Sequence, residues 1–279
     1  MIKVSGEIFD PKELMSQYPS DSLEFKILNL LYSSEKTYFY STPNHLQFEV
    51  SMRMNIIKSS RELDNSGLKF KTFKEAFCNE KYWKLTEQGG FLLKEDVKSS
   101  EAIIDIFKNG KKYGTECATA IVILYYKAVL DIYPEELFNA TFPRLHLISW
   151  DYIDDDLDIR VYTQNTEVIP GDCIYFNNPD FNPDKSEWRG ENAIDLGDGT
   201  YYGHGIGIKT SEEIIASLNK HRKSNAEKVA YLTDYINRPH YMHLADLHLN
   251  RLRSMRRQLY RELYLRKTHS FSLDSSWLY

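Results

Sequence analysis

The sequence predicts an α+β fold in which one buried helix packs on a mostly antiparallel sheet. Three observations carry this expectation. The run from Cys117 to Leu130 is apolar on nearly every face, as a helix covered on all sides is. Helix-period segments precede it, and after Pro143 the pattern changes to short strand-like runs before helices return. Helices, a strand meander, then helices again is the order of an α+β chain, not of alternating βαβ units.

Taken in chain order, Leu46, Val50, Met54 and Ile57 recur at helical spacing between Pro43 and Gly67, which predicts a helix from about Asn44 to Leu63. A second, from about Ser99 to Lys108, buries Ile103, Ile106 and Phe107, with Gly110 placed for a C-terminal cap. The Cys117–Leu130 run is the central core helix. Strands are expected at 145–150, 159–163, 172–176, 192–196 and 201–206, the last two joined by the turn Gly197-Asp198-Gly199 as a hairpin. Helices follow at about 211–220 and 226–236. From Asn250 to Lys267 the sequence carries seven Lys or Arg and one Glu, with Leu252, Met255, Leu259 and Leu263 spaced for one helix face. This basic tail reads as a solvated or packing terminal helix, or as a docking arm for an acidic surface. The expected division is a domain over 1–245 and a basic helical tail over 246–279.

The bulk numbers bound the function. With 279 residues, 42% hydrophobic, the chain can bury a full core. A formal net charge of -5 gives no overall reason to expect nucleic acid. The opening residues lack a basic stretch followed by an apolar core, so a cytoplasmic product is expected. No stretch approaches the roughly 18 apolar residues of a membrane helix. Three cysteines, Cys78, Cys117 and Cys173, are an odd count without paired spacing, which argues against a disulfide framework and a CxxC metal site. His240, His243 and His248 lack a matching acid or thiol set, so no metal is expected either.

Two stretches carry possible chemistry. In YGTECATAIVILYYKAV, Thr115 is a candidate N-cap, which places Glu116 and Cys117 in the first turn of the central helix. Free amides and the positive dipole end there favour a thiolate and predict a lowered Cys117 pKa. The same cysteine is equally a first core residue, and on this stretch alone both readings stand. The second stretch is the hairpin EWRGENAIDLGDGTYYGHGIG, Glu187 to Gly207. A turn at Asp198 and Gly199 sets Ala193 opposite His204, within a residue, and puts Glu191 diagonal to His204 on one face. Gly203 and Gly205 leave room beside the histidine for a close partner, such as the end of the central helix. Cysteine, carboxylate and imidazole together are the parts of a thiol enzyme of acyl transfer.

The stretches MRMNI (Met52 to Ile56), TECATAIVI (Thr115 to Ile123), GDCIYFNNPDFNP (Gly171 to Pro183), WRGEN (Trp188 to Asn192) and GHGIGI (Gly203 to Ile208) closely resemble the spore-coat transglutaminases of Bacillus-type bacteria. The resemblance covers about Met1 to Asp234. It implies a compact papain-like cysteine-peptidase fold and protein-glutamine gamma-glutamyltransferase activity without calcium, cofactor or pro-segment. By it the nucleophile falls on Cys117, the principal catalytic acid on Glu191, a second helping acid on Glu116 and the active-site histidine on His204. The aromatic walls of a substrate tunnel fall on Phe70, Trp150 and Trp188. Partners would be glutamine- and lysine-bearing proteins of the spore coat. A cysteine amidase or peptidase of the same fold, and a non-enzymatic coat scaffold, are the competing readings; the first makes His204 the essential base, the second leaves the thiols without a role.

Overall fold

A computed structural model describes residues 1–163 and 166–254. The 24-residue helix Pro43–Ser66 starts with proline at its first turn and stops at Gly67, whose φ of +83° ends it in the left-handed region. It packs against the central helix Cys117–Leu130, of which every residue from Ala118 to Val129 is buried. The helix Ser99–Lys108 flanks both. Gly110 does not cap it, because Asn109 holds that place. A Cβ on Gly110 would lie 2.5 Å from the Ser66 carbonyl oxygen, so this glycine is needed for close packing against the long helix.

Six strands form the main sheet, in spatial order Gly207–Thr210, Thr200–Gly203, Gly190–Asp195, Cys173–Asn177, Tyr231–Pro239 and Ile159–Tyr162, with every neighbour antiparallel. The central helix covers one part of this sheet, and the helix Ser211–Asn219 covers another through Ile214 and Leu218. The expected hairpin at Gly197–Gly199 is present with Ala193 opposite Gly203, one residue from the expected register.

Two expectations are corrected. The segment anticipated as a helix over 226–236 forms the strand Tyr231–Pro239. Its β-branched and aromatic residues fill the slot between two strands that would otherwise have unpaired edges, and tertiary pairing overrides a weak helical period. Of 145–150 only His146–Leu147 is strand, because Ser149 takes a φ of +45° and turns the chain. Cys78 lies between an isolated bridge at Phe77 and a turn.

No element is expected from the first 40 residues, yet they fold. Ile2–Val4 pairs with Glu7–Ile8 and in parallel with Tyr38–Tyr40, and the helix Leu23–Ser33 joins them in a second apolar cluster against Leu46 and Val50. At the other end residues 241–254 are helical, and Tyr241, Leu244 and Ala245 belong to the main core. The expected boundary between 245 and 246 thus falls inside a packed helix; the rest of the basic tail, including Met255, Leu259 and Leu263, lies outside the described residues.

Candidate active site

The short parallel pairing of Lys69–Phe70 with Gly114–Thr115 brings Phe70 beside the start of the central helix. Glu116, not Thr115, caps that helix. Its carboxylate accepts from the amides of Ala118 (2.7 Å) and Thr119 (2.6 Å) and from the Thr119 hydroxyl (2.5 Å). The Thr119 oxygen in turn accepts from the Ser149 amide at 2.7 Å, which ties the turn before Trp150 to the helix entrance.

Cys117 is the first helical residue and lines a cleft of about 530 Å³ together with Phe70, Trp150, Tyr175 and Asn192. The expected lowering of its pKa is overturned. Burial, then the neighbouring carboxylates of Glu191 and Glu116, push the thiol well above its ordinary value. The amides that would have stabilised a thiolate are spent on Glu116. Only Asn192 acts the other way, donating from its backbone and from its side chain, with Nδ2 at 3.5 Å from Sγ.

Glu191 is 3% exposed. Burial and the Glu116 charge raise its pKa well above the carboxylate range, against the backbone N–H of His204, which donates to it. Its Oε1 has no hydrogen-bond partner. A Cβ at Gly203 would lie 2.9 Å from the Glu191 Cγ, and one at Gly205 would lie 2.7 Å from the Phe70 ring. The space left by the two glycines is therefore taken by Glu191 and Phe70, not by the end of the central helix.

His204 is 4% exposed, and burial lowers its pKa to about 4, so the ring is neutral at pH 7. Its Nε2 lies 3.3 Å from the Lys69 carbonyl oxygen, an acceptor, so Nε2 carries the proton; Nδ1 then accepts from the Tyr202 hydroxyl at 3.2 Å. Both ring nitrogens are thus engaged away from Cys117. Phe70 stacks obliquely on the His204 ring at 6.0 Å and on Trp188 at 6.2 Å. Trp188 stands behind Phe70, with its other contact a stacked His221 at 3.7 Å, while Phe70 and Trp150 face the cleft.

A profile of the family described as protein-glutamine gamma-glutamyltransferase matches residues 1–248. The chain belongs to this family. Two transglutaminases of the same description are similar over most of their length. That of Bacillus cereus (strain B4264) is 47% identical over 239 residues, 85% of this chain and 86% of the relative. That of Bacillus mycoides (strain KBAB4) is 46% identical over the same shares. A solved structure described as the transglutaminase from Geobacillus stearothermophilus without C-terminal extension superposes with a TM-score of 0.70 at 44% identity. It covers 74% of this chain and 97% of its own. The protein is accordingly an acyltransferase of the transglutaminase class with an α+β fold.

The structure brings five of the seven anticipated residues to the transglutaminase cleft or its immediate wall: Cys117, Glu116, Glu191, Phe70 and Trp150. His204 and Trp188 lie one layer behind, against Phe70. Asn192 was not anticipated, because strand alternation points it away from the face of Glu191. Tyr175, Tyr235 and Asn237 also line the cleft, and they come from strands that no spacing ties to the cysteine. Among the described residues no group of three or more His, Cys, Asp or Glu is arranged to hold a metal ion, and no helix is long and apolar enough to cross a membrane.

Proposed function

We propose that Cys117 and Glu191 perform transamidation of protein glutamine in a compact papain-like arrangement, with Glu116 assisting and His204 outside the proton path. The observation that carries this reading is the placement of Cys117 at the helix entrance on the cleft with the buried Glu191 carboxyl beside it. Burial and the neighbouring carboxylates push the thiol well above its ordinary value, and burial with the Glu116 charge raises Glu191 well above the carboxylate range. As Sγ attacks the side-chain carbonyl carbon of a glutamine, the thiol proton passes to the Glu191 carboxylate. Glu191 then gives that proton to the departing nitrogen, ammonia leaves and a thioester remains.

A lysine amine attacks the thioester next. Glu191, again a carboxylate, takes the amine proton and returns it to the sulfur as the isopeptide forms. The thioester hydrolyses where water reaches it, so the aromatic walls at Phe70 and Trp150 favour transfer to an amine. The same walls attract the cationic head of the incoming lysine. Trp188 supports Phe70 in that wall.

A cysteine amidase would need a histidine base. The His204 ring is neutral, but its nitrogens face Tyr202 and the Lys69 carbonyl, which favours the Cys/Glu pair. Glutamine- and lysine-bearing spore coat proteins are the proposed substrates. Incubation with a glutamine-containing protein and a fluorescent primary amine, with and without a calcium chelator, tests the reading. Incorporation that survives chelation and stops in Cys117→Ala is expected; ammonia release without incorporation would leave an amidase.

A further inference from the structure

The tetrahedral species formed on Cys117 carries its negative charge on the former glutamine oxygen, and a buried cleft must supply donors for it. The usual candidates at a helix entrance are the first-turn amides. Here those of Ala118 and Thr119 already donate to Glu116 at 2.7 Å and 2.6 Å. That leaves only the Cys117 amide in this turn, and a second donor must come from elsewhere.

The geometry points to the side-chain amide of Asn192 as the oxyanion donor of this reaction, an assignment that rests on Cys117 being the nucleophile. The strand Thr200–Gly203 ends its ladder at Ala193↔Gly203, one residue before Asn192. The Asn192 Nδ2 donates to the sulfur at 3.5 Å. The residue is 8% exposed and lines the cleft, so what remains accessible of it faces substrate. A primary amide has two N–H donors, and one on the sulfur leaves the second for the oxygen two bonds from that sulfur in the tetrahedral species.

In the first step the S–C bond forms while the π pair of the carbonyl moves to oxygen. Charge leaves the sulfur and arrives on an atom that the same Nδ2 can reach without moving. In the collapse that pair returns to carbon as the C–N bond breaks and Glu191 protonates the nitrogen. Asn192 exchanges no proton. Its contact strengthens as charge develops, which is the condition for raising kcat without tightening substrate binding.

The test separates an oxyanion donor from a residue that only places the thiol. Alkylation of Cys117 by iodoacetamide occurs at a saturated carbon and forms no oxyanion, whereas acylation by glutamine does. Asn192→Ala and the near-isosteric Asn192→Asp are compared with the unaltered enzyme in both reactions, with Cys78 and Cys173 replaced by serine and alanine in every background so that one thiol reports. Circular dichroism melts confirm folding. The expected result is a fall in kcat for amine incorporation of about 10²-fold in both variants with little change in KM, while the alkylation rate constant of the thiolate, read from full rate–pH profiles because both variants raise the thiol pKa, stays within about 3-fold. Parallel loss of alkylation and acylation would make Asn192 a positioning residue and overturn the assignment. So would unchanged kcat. If Cys117→Ala kept incorporating amine, the nucleophile itself would be wrong, an outcome distinct from either.

Discussion

At the scale of single residues, the site is set by what burial does to two acids. In the proposed mechanism Glu191 is ionised when it accepts the thiol proton, and its pKa is raised. Activity therefore falls with decreasing pH at a point above the ordinary carboxylate range near about 4.3, and the limb follows Glu191. His204, with its pKa near 4, is already neutral through that region. The kcat/KM profile of His204→Asn is expected to keep the acid limb of the unaltered enzyme, and that of Glu191→Gln to lose it along with most of the rate. A limb that moved with His204 would restore the histidine as base. Glu116 supplies a second reading of the same electrostatics. Its charge helps to raise the thiol pKa, so Glu116→Gln should lower that pKa and speed iodoacetamide alkylation at pH 8.

Elements decide how these residues meet. The hairpin strand Gly190–Asp195 carries Glu191 and Asn192, and both lie near Cys117, while the partner strand ends at Gly203. That strand end also leaves the cavity into which Glu191 folds. Gly203→Ala puts a methyl group 2.9 Å from the Glu191 Cγ, and amine incorporation is expected to drop about tenfold or more while the melting temperature moves by only a few degrees. The helix cap is the other decisive element. Glu116→Ala removes three hydrogen bonds at the helix entrance and is expected to cost roughly 1–2 kcal/mol in urea unfolding, more than Glu116→Gln.

Over the whole molecule, a buried ionic chain locks the long helix to the sheet. Arg53, fully buried, meets Glu49 and Asp172 at 2.9 Å each, and Asp172 also meets Arg238 at 2.6 Å. Arg53→Ala leaves the buried Glu49 carboxylate without its cation and Asp172 with Arg238 alone, and is expected to cost about 3–5 kcal/mol, read by urea unfolding. The C-terminal end is argued at this scale too. His248 stacks on Tyr133 at 5.5 Å, and the Tyr133 hydroxyl donates to the Leu244 carbonyl. A chain ending at 245 is expected to lose several degrees of melting temperature relative to the full chain, which differential scanning calorimetry would detect.

The elements that were legible in the sequence are those with a long, one-sided signal. The helices Pro43–Ser66, Ser99–Lys108 and Cys117–Leu130 are set by periodic apolar residues and end within a few residues of where those signals end. The cysteine at the helix entrance and the Glu191 hairpin could be singled out because their chemistry is unusual for their place. The N-terminal strands of two or three residues could not, since so short a stretch holds no period, and Tyr231–Pro239 was misread because its state depends on strands far away in the chain.

By itself, then, the sequence determined the central helix, the hairpin and the residue types that meet between them, because these are local consequences of pattern and turn chemistry. Only the tertiary structure decided the protonation of Cys117, the neutrality of His204 and the approach of Asn192 to the sulfur. Those depend on desolvation and on distances of 3 to 4 Å between segments far apart in the chain, such as the 3.5 Å between Asn192 and Cys117, and no spacing along one chain encodes either.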